Sequence, residues 1–347
     1  MIERRTSGSE YSIDRPMKTE GDLTAIVVNW NTRELLRKCL DSFFSQTRGV
    51  AYEVWVVDNG STDNSSEMVR KKFPQVRLIE NESNLGFSQA NNQAIRRSSG
   101  RYVLLLNSDT ELIGNAPRIL AQFMDDHPEA GAAGCKLLNS DGSLQLSCGR
   151  FPRLFSALMG GVLANSVFKK FFPNRRFFAE YGLSQEEHSR LQETDFVMGA
   201  CMILRREALE QAGFFDEDIF LYFEEIDLCY RIKQAGWKIL YTPEARVCHH
   251  GGQSSPSSAY VVQQNLISLE YFFRKHYSRT SAVILRILMF LGSASKIVIF
   301  MTLLLVPRIE FRKMARARLS WHVYALRYYL TNFFELGHAT ADAKRGP

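Results

Sequence analysis

Tyr102-Val-Leu-Leu-Leu106 runs directly into Asn107-Ser-Asp109, so a carboxylate is delivered at the carboxyl end of what reads as a buried strand. In an open α/β sheet that edge is where ligands sit. Asp109 could ligate a divalent cation that bridges a diphosphate, because hard oxygen donors suit Mg²⁺ or Mn²⁺; the plainer alternative is a helix cap before Glu111. A second apolar run, Glu53-Val-Trp-Val-Val57, ends in Asp58-Asn-Gly-Ser-Thr-Asp63. The amides of that turn could hold a base and ribose while a carboxylate accepts from them, against an Asx turn followed by a cap. Asn84-Leu-Gly-Phe87, with Asn91 and Asn92 after it, reads as another strand-to-helix turn. It lacks GxGxxG, so a dinucleotide fold gains no support.

Further along, Glu224, Glu225 and Asp227 cluster at a helix start beside Tyr222 and Phe223. A helix dipole favours acids there without any function, yet three exceed what a cap needs, and one of them suits a general base. His249 and His250 leave a strand for Gly251-Gly252 and several serines. A neutral imidazole at His249 would complete the metal shell begun at Asp109 and tilt the choice toward Mn²⁺.

These residues need a scaffold, and the apolar pattern supplies one. Leu23 to Val28 is β-rich, and Asn31 with Glu34 three residues later reads as a capping box opening a helix. Strand 53–58, helix 64–73, strand 76–80, helix 87–98, strand 102–106 and helix 115–127 then alternate, which predicts a parallel sheet with right-handed crossovers. After Gly131 the regularity weakens. Strands are expected at 132–138, 195–204, 237–241 and 245–248, with a loop-rich segment over about 150–190 and a helix over 224–235 ended by Gly236.

At 347 residues and 45% apolar composition the chain can bury a substantial core, with about two domains as the length prior. Its net charge of +6 is concentrated at the end, where eight Lys/Arg stand against three Asp/Glu from Pro307 onward. That excess fits an anionic surface or ligand. The six cysteines show no metal-ligand spacing and read as reduced core thiols of a cytosolic protein. The first twenty residues are polar, have no apolar h-region of a signal peptide, and read as a disordered lead-in.

Taken jointly, the ordered segments resemble family 2 glycosyltransferases, in particular the bacterial rhamnosyltransferase-like branch, over about residues 22–275. The resemblance is carried by Ala25-Ile-Val-Val-Asn29, Val56-Val-Asp58-Asn-Gly-Ser-Thr-Asp63, Asn84-Leu-Gly-Phe87, Leu105-Leu-Asn107-Ser-Asp109, Gly199-Ala200, Phe214-Phe-Asp216-Glu217, Glu224-Glu-Ile-Asp-Leu-Cys-Tyr-Arg231 and His249-His-Gly-Gly252. It implies an α/β GT-A fold, with a nucleotide-sugar-binding half at 22–130 and an acceptor-binding, catalytic half at 131–279. A helical segment follows over 280–347. By position, Asn29, Asp58, Asp63, Asn84, Gly86, Asn92, Asn107 and Asp109 fall in the donor site, with Asp58 on the base. Asp109 holds the metal, Mn²⁺ or Mg²⁺, with His249. Glu225 falls at the general base, with Glu224 and Asp227 as competing carboxylates. The DXD analogue is Asn-Ser-Asp, with one carboxylate, and the base is Glu in place of the commoner Asp.

The activity this implies is inverting transfer of a sugar, with rhamnose suggested by the branch, from a nucleoside-diphosphate donor to a glycan or lipid-linked acceptor in cell-surface polysaccharide synthesis. Competing readings are a sugar nucleotidyltransferase, whose Gly-rich triphosphate loop is replaced here by Asn29-Trp-Asn-Thr32, and a non-catalytic sugar-nucleotide or glycan-binding module. Nucleic acid is not an expected partner, and a homo-oligomer is allowed. Ile284 to Val306 is apolar, but Arg286 and Lys296 break it into stretches of nine and ten residues, short of the roughly twenty a bilayer span needs. The mixed basic and aromatic segment from Arg308 to Phe334 suits a helix lying in a membrane interface. The expected address is the cytoplasmic face of the membrane, with a C-terminal helical pair packed on the enzyme as the alternative.

Overall fold

The computed structural model describes residues 22–157, 186–251, 258–305 and 309–332. The lead-in, most of the loop-rich segment, Gly252 with the serines after it, and the last residues lie outside them.

The expected alternation is present through β1 (Leu23–Asn29), α1 (Arg33–Gln46), β2 (Tyr52–Asp58), α2 (Ser65–Lys72), β3 (Arg77–Glu80), α3 (Gly86–Arg97) and β4 (Tyr102–Asn107). A short strand β5 (Thr110–Ile113) precedes α4 (Ala116–Asp126) and β6 (Ala130–Leu138). Beyond them come β7 (Leu144–Gln145), β8 (Cys148–Gly149), α5 (Leu154–Ala157), β9 (Gln192–Thr194), β10 (Phe196–Val197), β11 (Cys201–Arg205) and α6 (Arg206–Ala212). The chain continues through α7 (Glu224–Gln234), β12 (Lys238–His249) and three long helices, α8 (Ser258–His276), α9 (Arg279–Leu305) and α10 (Ile309–Thr331).

Among the described residues the main sheet runs β3-β2-β1-β4-β11-β6-β12-β5, with β7 on β6 and β9 on β12. The first four strands are parallel, whereas β11 lies antiparallel to both β4 and β6. Both faces are covered, which is why the strands read as continuous apolar runs. Leu104 and Leu106 pack toward α1 and α4, while Val103 and Leu105 pack toward α3 and α7. The mixed, mainly parallel sheet and the helical C-terminal region agree with the expected fold class.

Four local expectations are corrected. The capping box does not form: Asn31 takes a left-handed backbone and its Oδ1 accepts from the Thr62 amide at 2.8 Å, while Glu34 pairs with Arg37. Asp109 opens no helix, since Thr110 to Ile113 pair with β12 as a strand. The two strands near 237–248 are one, β12, whose register on β6 shifts between Thr242 and Arg246; Pro243 in that gap supplies no N–H. The 195–204 strand is interrupted between β10 and β11, and the interrupting Met198, Gly199 and Ala200 line the cleft treated below.

The three C-terminal helices form one bundle against α7. Phe272, Phe273 and Leu285 pack with Phe223 and Ile226, and Ala325, Tyr328 and Tyr329 pack with Val262 and Leu266. Arg286, which interrupts the apolar run in the sequence, is turned inward, where its guanidinium holds both oxygens of Glu270 at 2.9 and 2.5 Å and the Asn332 carbonyl at 2.7 Å. The outer face of α9 is left apolar, with Ile284, Ile287, Leu291, Val298, Met301 and Leu305 exposed at three- and four-residue spacing, one stripe of a helix. α9 is long and apolar enough to cross a membrane, with a mean hydropathy of 2.1 in its most apolar stretch.

Candidate active site

A cleft of about 340 Å³ opens at the carboxyl ends of β1 and β4 and is closed by the start of α7. Of the residues marked from the sequence, Asn84, Gly86, Asn107, Asp109, Glu224, Glu225 and His249 line it. Asn29, Asp58, Asp63, Asn92 and Asp227 do not, and each is engaged elsewhere.

Asn29 and Asp58 join the first two strand ends. Asn29 Nδ2 donates to Asp58 Oδ1 at 2.8 Å, and the other Asp58 oxygen accepts the Ser61 amide at 3.0 Å. Asp63 serves the starts of two helices, accepting the amides of Arg33 at 2.8 Å and Ser65 at 3.1 Å. Asn92, buried in α3, donates to the Phe215 carbonyl and accepts the Phe215 amide, which ties α3 to the segment leading toward α7. These groups therefore shape the wall from behind.

The rim itself depends on Gly86. With φ of +83° and a would-be Cβ only 2.6 Å from the Phe220 carbonyl oxygen, this position accepts no side chain. Its amide is held by Asn84 Oδ1 at 3.0 Å, and Asn59 bonds both Asn84 and the Gly86 carbonyl. Asn59 belongs to the cleft, although the sequence reading singled out only the flanking aspartates.

On one side of the cleft Asp109 and His249 meet, Oδ1 to Nε2 at 3.3 Å, both almost fully buried. They approach because β4 turns into β5, β5 pairs with the end of β12, and Thr110 sits opposite His249 in that ladder. A carboxylate oxygen and an imidazole nitrogen at such separation are a donor set suited to Mn²⁺, with the remaining positions left for diphosphate oxygens and water. Among the described residues no group of three or more His, Cys, Asp or Glu could hold a metal, so a cation on this pair would need its further ligands from a bound molecule or water. The cysteines are free, and all but Cys248 are buried.

The carboxylate pair comes from the start of α7. Tyr222 and Phe223 there adopt φ of 64° and 70°, a left-handed conformation uncommon for bulky residues and costly enough to signal a built site. Glu224 is buried, and one oxygen of Glu224 and one of Glu225 have no hydrogen-bond partner among the described residues. Burial, with the neighbouring Glu225 charge added, pushes the Glu224 carboxyl well above the ordinary range. Burial also raises Glu225, but the amides of Glu225 itself, Gly199 and Ile226 favour its ionised form. Both carboxyl groups are thus raised, Glu224 the more strongly, a pattern suited to proton transfer.

Asp227 has a different environment. Its fully buried carboxylate is gripped by Arg231 at 2.8 Å, Lys275 at 2.7 Å and His276 at 2.6 Å. Burial alone would raise its pKa, but the His276 hydrogen bond and the Arg231 and Lys275 charges outweigh it and hold the group at about 2. It fastens α8 to α7.

The profile of Glycosyl transferase family 2 matches residues 24–213, and that of Glycosyl transferase family group 2 matches residues 159–336. An N-acetylglucosaminyl-diphospho-decaprenol L-rhamnosyltransferase of Mycobacterium tuberculosis is 32% identical over 213 residues, 58% of this chain and 67% of that protein. The O-antigen biosynthesis protein RfbC of Myxococcus xanthus is 28% identical over 72% of this chain but only 19% of its own length. Among solved structures, the mannosyltransferase PcManGT of Pyrobaculum calidifontis, in complex with GDP-Man and Mn²⁺, superposes with a TM-score of 0.56 at 17% identity, covering 93% of this chain and 91% of that one. GalNAc-T7 with UDP, GalNAc and Mn²⁺ gives 0.53 at 16% identity over 91% and 58%. These two likenesses establish the GT-A fold. With the family profile spanning more than half the sequence, the chain belongs to glycosyl transferase family 2 and is a glycosyltransferase.

Proposed function

We propose that the enzyme is an inverting transferase that moves a sugar, with rhamnose the first candidate, from a nucleoside diphosphate onto a lipid-linked saccharide during cell-surface polysaccharide synthesis. The observation that carries this reading is the pairing, in one cleft, of Asp109 beside His249 Nε2 with the carboxyl groups of Glu224 and Glu225, each of which has one oxygen without a partner among the described residues. Asp109 and His249 hold a divalent cation, Mn²⁺ being favoured over Mg²⁺ by the nitrogen ligand. When bound, that cation supplies a Lewis acid against the charge developing on the departing diphosphate.

Glu225 accepts the proton of the acceptor hydroxyl as its oxygen bonds to the anomeric carbon and the bond from that carbon to the diphosphate oxygen breaks. One displacement inverts the anomeric centre and needs no covalent enzyme intermediate. Glu224, kept protonated, spares Glu225 a second negative neighbour. A purely binding module would gain nothing from two adjacent carboxyl groups that each bury an oxygen without a hydrogen-bond partner, whose retention is costly. The rhamnosyl donor and lipid-diphosphate acceptor are suggested by the name of the mycobacterial relative.

A membrane-surface location supports the lipid-linked acceptor. α10 runs back along α9, as the stacking of Phe300 on His322 and the bond from Arg286 to Asn332 require. It exposes Arg312, Arg316, Arg318 and Arg327, charges that a spanning α9 would drag into hydrocarbon. This supports a hairpin that lies in the membrane plane, apolar stripe inward and arginines among anionic headgroups, with the cytoplasmic leaflet as the proposed side. Tyr260 of α8, the helix beneath this hairpin, lines the cleft, which brings the acceptor site close to the lipid.

The test is release of nucleoside diphosphate from a panel of nucleotide-sugars, with and without Mn²⁺ and a polyprenyl-diphosphate saccharide. Acceptor- and Mn²⁺-dependent release that disappears in Asp109→Ala supports the reading. Release that is undiminished in that variant removes Asp109 from the site.

A further inference from the structure

We infer that the hairpin joining β6 to β7 orients the His249 ring, with Gln145 as the positioning residue that keeps Nε2 unprotonated and turned toward Asp109. This rests on the reading of Asp109 and His249 as the metal-holding pair. His249 Nδ1 lies 2.7 Å from Gln145 Oε1. An amide oxygen only accepts, so Nδ1 carries the proton. At the other edge of the ring, Asn107 Nδ2, which only donates, lies 3.3 Å from His249 Nε2. Both amide neighbours thus favour the same tautomer, against the Asp109 carboxylate, whose Oδ1 lies equally 3.3 Å from Nε2 and would accept a proton there.

The orientation of the Gln145 amide is itself determined. Its Nε2 donates to Asn139 Oδ1 at 3.0 Å, Asn139 Nδ2 donates to Ser143 Oγ at 2.9 Å, and Ser143 Oγ donates to Asp141 Oδ1 at 2.6 Å. An ionised Asp141 accepts only, so every bond in the chain points one way. Turning the Gln145 amide over would set an NH₂ against the Nδ1 proton and an oxygen against Asn139 Oδ1, two repulsive contacts in place of two hydrogen bonds. The backbone holds the hairpin in register, with Gln145 paired to Leu137.

The same hairpin grips the next residue. Ser140 Oγ lies 2.7 Å from His250 Nδ1, His250 Nε2 lies 2.7 Å from Glu111 Oε1, and the His250 amide donates to the Asp109 carbonyl at 3.0 Å. A histidine ligand held through its other ring nitrogen keeps its ring plane and lone pair aimed before the ion arrives, and loss of such a partner costs about 10- to 100-fold in metal affinity.

The experiment uses the full chain labelled with ¹⁵N-histidine and two-bond ¹H–¹⁵N spectra at alkaline pH, with His249 assigned through His249→Gln, followed by titration with Mn²⁺ alone. The wild type is expected to show the Nδ1–H tautomer. Gln145→Glu, which presents an acceptor to Nδ1 in either orientation although it sets an oxygen against Asn139 Oδ1, should keep the tautomer. Gln145→Met and, independently, Asn139→Leu should shift His249 toward Nε2–H and weaken Mn²⁺ binding about 10- to 100-fold. A Gln145→Met protein with the wild-type tautomer and wild-type Mn²⁺ affinity would overturn the inference. Undiminished Mn²⁺ binding by His249→Gln would instead overturn the metal reading, while the tautomer spectra still decide the part played by Gln145.

Discussion

Replacing Asp227 by Asn should unfasten the acidic helix while leaving the chemistry in place. In the folded enzyme the carboxylate is held at about 2 against an ordinary value of 3.8, a difference worth about 2 kcal/mol in favour of the folded, ionised state. Because the group is depressed, that contribution is complete above 3.8 and is lost as the pH falls toward 2. Removing the charge also strands Arg231 and Lys275, although Lys275 keeps Asp216 at 2.6 Å and Arg231 keeps the Ala212 and Gly213 carbonyls. Breaking one partner of a buried pair costs about 3–5 kcal/mol, and the residual contacts place Asp227→Asn near the lower end. Urea unfolding followed by tryptophan fluorescence, with turnover measured well below the transition, separates the two kinds of role. Asp227→Asn should lose about 2–3 kcal/mol and keep turnover within a few-fold, whereas Glu225→Gln should keep its stability and lose about 10²- to 10⁴-fold in rate. A folded Asp227→Asn enzyme with a rate loss as large as that of Glu225→Gln would refute the reasoning and return Asp227 to the catalytic set.

Glu224→Gln should raise the melting temperature at neutral pH but not in acid: with its folded pKa raised, the wild-type side chain stabilises the fold only while protonated and loses that contribution as the pH rises. Equal melting temperatures at both pH values would count against a protonated Glu224. Gly86→Ala should destabilise the protein by more than 1 kcal/mol and weaken nucleotide binding, since a methyl group there collides with the Phe220 backbone; calorimetry on the variant checks both. Full-length protein should float with anionic phospholipid vesicles, and partly detach in high salt as roughly 1 kcal/mol per arginine is screened. The triple variant Leu291→Gln, Val298→Gln, Met301→Gln should float poorly, and if it floats like the wild type, α9 is not the membrane-facing element.

The parallel half of the sheet was legible because buried strands and amphipathic helices impose different apolar periods, and β1 to β4 keep them cleanly. Asp109, His249 and Glu225 stood out because each ends or begins an element at the same sheet edge. What one dimension hides is direction. Arg286 counts as an interruption in a hydropathy sum, yet it faces Glu270 and leaves the other side of its helix apolar. Asp58 and Asp63 resemble ligand groups in the sequence, but their oxygens are engaged by Asn29, Ser61, Arg33 and Ser65. Gln145 carries no signal at all, because its meaning lies in a hydrogen bond to His249, 104 positions away. The left-handed turn at Tyr222 and Phe223 is equally invisible, since neither residue type suggests it.

The inward grip of Arg286 on Glu270 bears on how the protein is made. The sheet is complete in the chain by His249, yet Glu270 on α8 has no guanidinium hydrogen-bonded to it until residue 286 emerges, and that arginine in turn waits for the carbonyl of Asn332. At cellular synthesis rates of about 5–20 residues per second, the 16 positions from Glu270 to Arg286 correspond to roughly 1–3 s in which Glu270 lacks its guanidinium, and the further 46 to Asn332 to roughly 2–9 s in which that pair is not yet fastened to the end of α10. During that interval the half-made enzyme has a finished sheet but an unsettled acceptor side, because α8 also supplies Tyr260. Nascent chains are therefore expected to acquire a settled acceptor side only after Asn332 has emerged and the hairpin of α9 and α10 closes over α8.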